Sequence, residues 1–107
     1  MDIAKIRSVT ADPRKAERAA GILKALGHPV RLRLVAELCC QGERSVGDLC
    51  RDLEVPQAAV SQQLGILRLH GLVKVRRSQG FRFYSLAEAA TAQVLHCIAT
   101  CPMVADD

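Results

Sequence analysis

Tryptophan is absent from the chain, and one tyrosine and two phenylalanines are its only aromatic residues. The core of a 107-residue chain this poor in rings must be filled by Leu, Val, Ile and Ala. No apolar run approaches the roughly 18 residues of a membrane span, so no membrane partner is expected. The first ten residues, with Asp2 early, lack the long apolar block and small-residue cleavage site of a secretion signal, and the expected location is the cytoplasm. The five cysteines are an odd number, which argues against a disulfide framework and for reduced thiols. With 50% apolar and 24% charged residues, disorder is excluded, and one mostly helical domain over residues 1–107 is expected.

Acidic residues are also missing from one long stretch. Between Val55 and Ala87 the basic residues are Arg68, Lys74, Arg76, Arg77 and Arg82, with no Asp or Glu among them. That segment is +5, while the rest of the chain carries 10 basic against 11 acidic side chains. A near-neutral protein with one continuous basic segment has the footprint of a polyanion binder, although a solvated basic surface would look the same by charge alone.

Asp12-Pro13 predicts a helix start, and Ala16, Ala19, Ala20, Leu23 and Leu26 then recur at helical spacing. Gly27 ends this first helix and Pro29 opens a second, whose Leu32, Val35, Leu38 and Cys39 face inward while Arg31 and Arg33 can face water; Gln41-Gly42 closes it. Ser45 and Asp48 form a capping-box pattern for a short third helix with Val46, Leu49, Cys50 and Leu53 on its buried stripe. Glu54-Val55-Pro56 leaves room only for a tight turn before a fourth helix that runs to about His70 and stops at Gly71. Two helices so joined predict a helix-turn-helix over residues 45–70.

On the fourth helix, Ala59, Val60, Leu64 and Leu67 take one side, and Gln57, Ala58, Ser61, Gln62, Gly65 and Arg68 the other. The second face offers amides, a hydroxyl and small residues without an acid, which suits a helix entering the major groove. Leu72–Arg77 and Phe81–Ser85 alternate as strands around Ser78-Gln79-Gly80, a basic hairpin over residues 72–85. Ser85 with Glu88 repeats the capping pattern and predicts a last helix over residues 86–101, with Ala90, Val94, Cys97 and Cys101 on one face and a frayed tail from Pro102 to Asp107. The expected fold is mainly α with a small β-hairpin, a winged helix-turn-helix in the order α-α-α-α-β-β-α. The first helix (residues 12–26) and the last carry apolar stripes too extensive for so small a core, and a dimer is expected through them.

The run Leu26-Gly27-His28-Pro29-Val30-Arg31-Leu32-Arg33-Leu34-Val35 resembles the second-helix entry of the ArsR/SmtB family of winged-helix repressors. Gln57-Ala58-Ala59-Val60-Ser61-Gln62-Gln63-Leu64, continued by Leu67-Arg68-Leu69-His70-Gly71-Leu72-Val73, is similar to that family's recognition helix and first wing strand, and Phe83-Tyr84-Ser85-Leu86 to its exit from the wing. The similarity spans Ile22 to Leu86. It implies a homodimeric repressor on double-stranded operator DNA, released by an inducer. Gln57, Ser61 and Gln62 would face bases, the family more often having His where Gln62 stands, and Arg77, Gln79 and Arg82 would set the wing near the minor groove or backbone.

The sensing sites of the family differ between members and must be checked one by one. Its interface zinc site has no counterpart, since Thr91–Cys101 offers only His96. At its metalloid site Ser45 and Gly47 stand where the leading cysteines would, leaving only Cys50, which lies on the buried stripe of its helix and reads as a small hydrophobe. Four other thiols remain, in two pairs. Cys39 and Cys40 are adjacent and project about 100° apart, but lie at a helix end that can unwind. Cys97 and Cys101 are one turn apart, about 5–6 Å between Cβ atoms, too far for an undistorted disulfide and within reach of a shared soft ion. The branch of the family that senses oxidants or reactive sulfur joins one thiol of the second helix to one of the last, with the second-helix cysteine about one turn earlier, where Ala36 stands. A redox or sulfur signal through Cys39, Cys40, Cys97 and Cys101 is therefore expected, with no cofactor; the same four thiols as ligands for arsenite or another thiophilic ion are the alternative.

Enzymatic chemistry is not expected: CxxC, a Gly-rich phosphate loop and a Ser/His/Asp spacing are all missing, and adjacent His96 and Cys97 diverge on a helix. A cysteine-based metal-binding or interaction module that does not bind DNA would explain the thiols and leave the acid-free segment without a use.

Overall fold

The computed structural model, which describes residues 1–104, has six helices and a small antiparallel sheet. The first helix, α1 (Ile3–Ala11), was not expected from the sequence. It is capped by Asp2, whose Oδ1 accepts from Lys5 N at 3.2 Å, and none of its residues is buried. An apolar stripe with no core beneath it is hard to tell from a polar segment by periodicity.

Asp12 ends α1 and caps α2 (Pro13–Leu26), accepting from Arg14 N at 3.0 Å with Pro13 at the first helical position. His28 Nδ1 accepts from Val30 N at 3.1 Å at the start of α3 (Pro29–Gln41), and Gly42 closes that helix at φ 76°, a left-handed conformation that favours glycine. The capping box at α4 (Val46–Leu53) is complete: Asp48 N donates to Ser45 Oγ at 3.1 Å and Ser45 N to Asp48 Oδ2 at 3.2 Å. The turn into α5 (Gln57–Leu69) is made by Glu54 at φ 55°.

The sheet has three strands rather than a bare hairpin. β2 (Val73–Ser78) and β3 (Phe81–Leu86) form the expected wing, and β1 (Arg44–Ser45) pairs with β3 through Arg44↔Tyr84 and Ser45↔Phe83. A two-residue strand is too short to show alternation.

The last helix, α6, runs Thr91–Ala99 rather than over residues 86–101. Ser85 stays in the ladder opposite Lys74 and cannot cap a helix, and Glu88 instead accepts from Ala90 N at 3.1 Å. Ala90 and Cys101 therefore fall outside α6, and Thr91, Val94, Leu95 and Ile98, not Cys97, take its inner side. Of the expected frayed tail, Pro102–Val104 forms a turn closed by Val104 N donating to Cys101 O at 3.0 Å, and residues 105–107 lie outside those described. Nor does Arg31 face only water: it is half-buried and bonded inside the protein.

The core lies where α3, α4, α5 and the sheet meet. Leu34, Val35, Leu49, Val60, Leu64 and Leu67 are fully buried, and among the described residues Tyr84 is the one buried ring. Truncating any of these leucines to Ala would cost about 2–5 kcal/mol.

Candidate nucleic-acid interface

The α5 faces separate as the spacing predicts. Val60, Leu64 and Leu67 are buried, while Gln57, Ala58, Ser61, Gln62, Gly65 and Arg68 are exposed. The N-terminus of this helix has no side-chain cap and no acid in its first turn. Its first N–H groups are unpaired by the chain, and the positive end of the helix dipole is left uncovered.

On the wing, Val73↔Leu86, Val75↔Tyr84 and Arg77↔Arg82 are directly opposed pairs on one face, which buried Val73 and Tyr84 fix as the inward one. Arg77 and Arg82 continue that face beyond the core, where both are exposed. The turn between the strands is the two residues Gln79 and Gly80, at φ 51° and 80°, the positive-φ geometry that matches hairpin twist.

Helices and wing frame an open groove of about 530 Å³. Gln57 and Ser61 line it from α5, Ser45, Val46, Gly47 and Arg51 from α4 and its N-cap, and Gly80, Phe81, Arg82 and Tyr84 from β3 and its turn. The structure thus brings Gln57, Ser61 and Arg82 together. Ala58, Gln62 and Arg68 lie on the same exposed helix face outside the groove, and Arg77, Gln79 and Arg82 share a smaller hollow at the wing tip. Arg51 and Phe81 were not singled out from the sequence. Arg51 lies outside the acid-free stretch, flanked by Asp52 and paired with Asp48 at 2.6 Å, so charge patterning gives no sign of it.

One of the five basic residues is not free for an external anion. Arg76 Nη2 donates to Glu43 Oε1 at 2.7 Å and Nε to Glu43 Oε2 at 3.1 Å, with the guanidinium 4.9 Å from the Phe83 ring centre. The hydrogen bond from Arg76 holds the Glu43 carboxyl below its ordinary range, with the charges of Arg76 and Lys74 adding to it. Among the described residues, Arg68, Lys74, Arg77 and Arg82 have no carboxylate within ion-pair distance.

All five thiols are free. Cys40 and Cys97 are exposed, and Cys39, Cys50 and Cys101 are half-buried. Burial pushes the Cys39 thiol up, and the neighbouring Cys40 pushes in the same direction. The helices α3 and α6 that carry or flank the two pairs are in contact. Among the described residues no three of His, Cys, Asp and Glu gather as a metal ion would need, so the four thiols do not form a ready-made ligand set within one protomer.

The sequence profile of the bacterial regulatory proteins of the arsR family matches residues 28–75, from the start of α3 into β2. The biofilm growth-associated repressor of Xylella fastidiosa is 45% identical over 87 residues, covering 81% of this chain and 75% of the relative. The chain belongs to the ArsR family. The namesake protein of Agrobacterium fabrum is 42% identical over 98 residues, covering 92% of this chain and 82% of its own. Among solved structures, the repressor BigR from Xylella fastidiosa matches with a TM-score of 0.81 at 37% identity, covering all of both chains. Reduced HlyU from Vibrio cholerae matches with a TM-score of 0.71 at 34% identity, covering 83% of this chain and 96% of that one. This member of the ArsR family is accordingly a transcriptional repressor similar to BigR and HlyU, not an enzyme. Among the described residues no helix is long and apolar enough to cross a membrane.

Proposed function

We propose that two copies of this ArsR-family chain bind operator DNA, with α5 in the major groove and the wing on the adjoining backbone or minor groove, and that a thiol-reactive signal releases them. The observation that carries the DNA reading is the convergence of Gln57, Ser61 and Arg82 on one acid-free groove beside the uncapped start of α5. Amides and a hydroxyl suit base edges, and the arginines suit phosphates. Gln62, Ala58, Arg68, Arg77 and Gln79 extend the same surface.

Ile3, Ile6 and Val9 of α1 and Ile22 and Leu23 of α2 are exposed, and a second protomer would cover them. The winged helix-turn-helix DNA-binding domain Mb0332 of Mycobacterium bovis, 30% identical with a TM-score of 0.67, is homodimeric.

For the signal, the favoured reading joins Cys39 or Cys40 to Cys97 or Cys101. Supporting it are the contact between α3 and α6 and the exposure of Cys40 and Cys97. With peroxide, one thiolate attacks the O–O bond to give a sulfenic acid and hydroxide. The second thiolate then displaces hydroxide from that sulfur to form the disulfide, so two thiols are oxidised by two electrons and peroxide becomes two waters. With a polysulfide, one thiolate attacks a chain sulfur and expels the remainder as a shorter polysulfide anion, and the second thiolate then attacks the cysteine sulfur of the resulting persulfide, expelling hydrosulfide and closing the disulfide.

A mobility-shift titration with the DNA upstream of the chain's own gene tests both halves. Reduced protein should shift it, peroxide or polysulfide should abolish the shift, and a reductant should restore it after peroxide. No shift by the reduced protein would remove the DNA reading, and a shift indifferent to both agents would remove the thiol reading.

A further inference from the structure

Arg31 and Arg33 stand two positions apart near the start of α3, so their side chains leave the helix in different directions. Each ends on a different helix. Arg33 Nη2 donates to Leu53 O at 2.7 Å, the last carbonyl of α4. Arg31 Nε donates to Ala25 O at 2.6 Å and Nη2 to Lys24 O at 3.4 Å, both in the last turn of α2, while Nη1 donates to Gln63 Oε1 on α5 at 2.9 Å. Terminal helix carbonyls lack partners within the helix and carry the negative end of its dipole, so a guanidinium belongs there. Its planar fork can also hold two partners at fixed angles, which the point charge of a lysine cannot.

We infer that Arg31 is a positioning residue for DNA recognition, acting through Gln63 to fix the recognition helix α5 against α2. The inference rests on the DNA-binding reading above. Gln63 is half-buried and follows Gln62 directly, so its side chain turns from the exposed face and is engaged by Arg31 rather than free for a base. The other end of the link is α2, whose exposed Ile22 and Leu23 belong to the surface proposed to meet the second protomer. The spacing of two half-sites is set by how each recognition helix stands relative to the dimer axis. A bond from α2 to α5 therefore acts on simultaneous docking at two half-sites, and hardly at all on the sequence-independent attraction to phosphates. The same α3 that carries Arg31 at its start carries Cys39 and Cys40 at its end, so a displacement imposed at the thiols reaches this link along one rigid helix.

The test is a double-mutant cycle of Arg31→Met and Gln63→Met, with binding measured on the upstream DNA and on a scrambled duplex of equal length. Methionine keeps the length and helix propensity of both side chains. Each single variant is expected to lose about tenfold on the upstream DNA, with binding to the scrambled duplex and the salt slope unchanged, and the double variant to lose no more than the worse single. Arg31→Lys, which can cap α2 but not bridge to Gln63, should melt like wild type and still lose the preference for upstream DNA. Should Arg31→Met fail to fold by circular dichroism, Gln63→Met with Arg31→Lys decides alone. Wild-type preference in Gln63→Met, or losses that multiply in the double variant, would overturn the inference. A wild-type protein that does not distinguish the two duplexes would overturn the DNA reading itself, and this inference with it.

Discussion

Arg77 and Arg82 face each other directly across the wing ladder, both exposed and without a carboxylate within ion-pair distance among the described residues. Like charges placed opposite one another destabilise a strand pair. A phosphate between them turns that repulsion into attraction, so the pair is better suited to bound than to free protein. Arg77→Ala or Arg82→Ala should weaken binding to all DNA alike and flatten the plot of log affinity against log salt by about 0.9 per phosphate contact removed. The free protein should melt no lower than wild type. Binding indifferent to salt would contradict this.

The amides should behave differently. Gln57 lines the groove and Gln62 lies farther along the same exposed face of α5. If they read base edges, Gln57→Ala and Gln62→Ala should each cost about 1–3 kcal/mol on upstream DNA and little on a scrambled duplex. Equal losses on both, measured by competition titration, would assign them to the backbone instead.

The exposed placement of these arginines and glutamines was legible in the sequence because it rests on local signals: helical period, an acid-free stretch, and strand alternation around Gln79-Gly80. Other features had no such signal. None of the α1 residues is buried, so its Ile3, Ile6 and Val9 stripe has no core position to mark it. The Ser85/Glu88 pair copies a capping box, yet pairing with Lys74 keeps Ser85 in the sheet, and tertiary context prevails over local pattern. Arg31 and Arg33 read as surface charges because their partners, Gln63 and Leu53, are 32 and 20 residues away.

The exposed stripe yields a prediction about assembly. Replacing Ile6 and Leu23 together with Glu should leave the helical content intact, since both side chains are already exposed. It should also shift the protein to monomer in sedimentation equilibrium, because burying an unpaired carboxylate in an apolar interface is costly. An unchanged dimer would place the interface elsewhere.

Two carboxylates contribute to the acid side of the stability profile. The Ser45 backbone N–H, and next its hydroxyl, hold Asp48 below its ordinary range, and the Arg76 hydrogen bond does the same for Glu43. A lowered folded-state pKa means the contribution is fully present above the ordinary carboxylate value of about 4 and disappears as pH falls through the lowered values. The melting temperature should therefore be level from neutrality to about pH 5 and drop below about pH 4 on this account. Asp48→Asn and Glu43→Gln should each make that drop shallower. Ser45→Ala should lower stability at neutral pH by about 1 kcal/mol, the worth of a helix cap.

The proposed thiol switch gives the most discriminating experiment. Burial, then the adjacent Cys40, raises the Cys39 thiol and keeps it protonated longer, so exposed Cys40 is the thiol of α3 better placed to meet an oxidant first. Its partner in the proposed bridge is Cys97, exposed on α6, or Cys101 just beyond it. Drawing these segments together would pull the end of α3 toward α6, a small shift that a two-half-site complex amplifies into loss of docking. Intact-mass analysis after peroxide should show the loss of two hydrogens, and peptide mapping should find the bond between one member of each pair. Cys50, half-buried on α4, should remain free to alkylate after unfolding. Changing Cys39, Cys40, Cys97 and Cys101 all to Ser should give a protein that binds DNA as tightly as wild type and ignores peroxide and polysulfide. If that variant still lets go of DNA on treatment while Cys50→Ser does not, the signal runs through α4 and the bridge is wrong. If arsenite instead protects three of the thiols from alkylation and releases DNA, while peroxide does neither, a metal-linked response replaces the redox one.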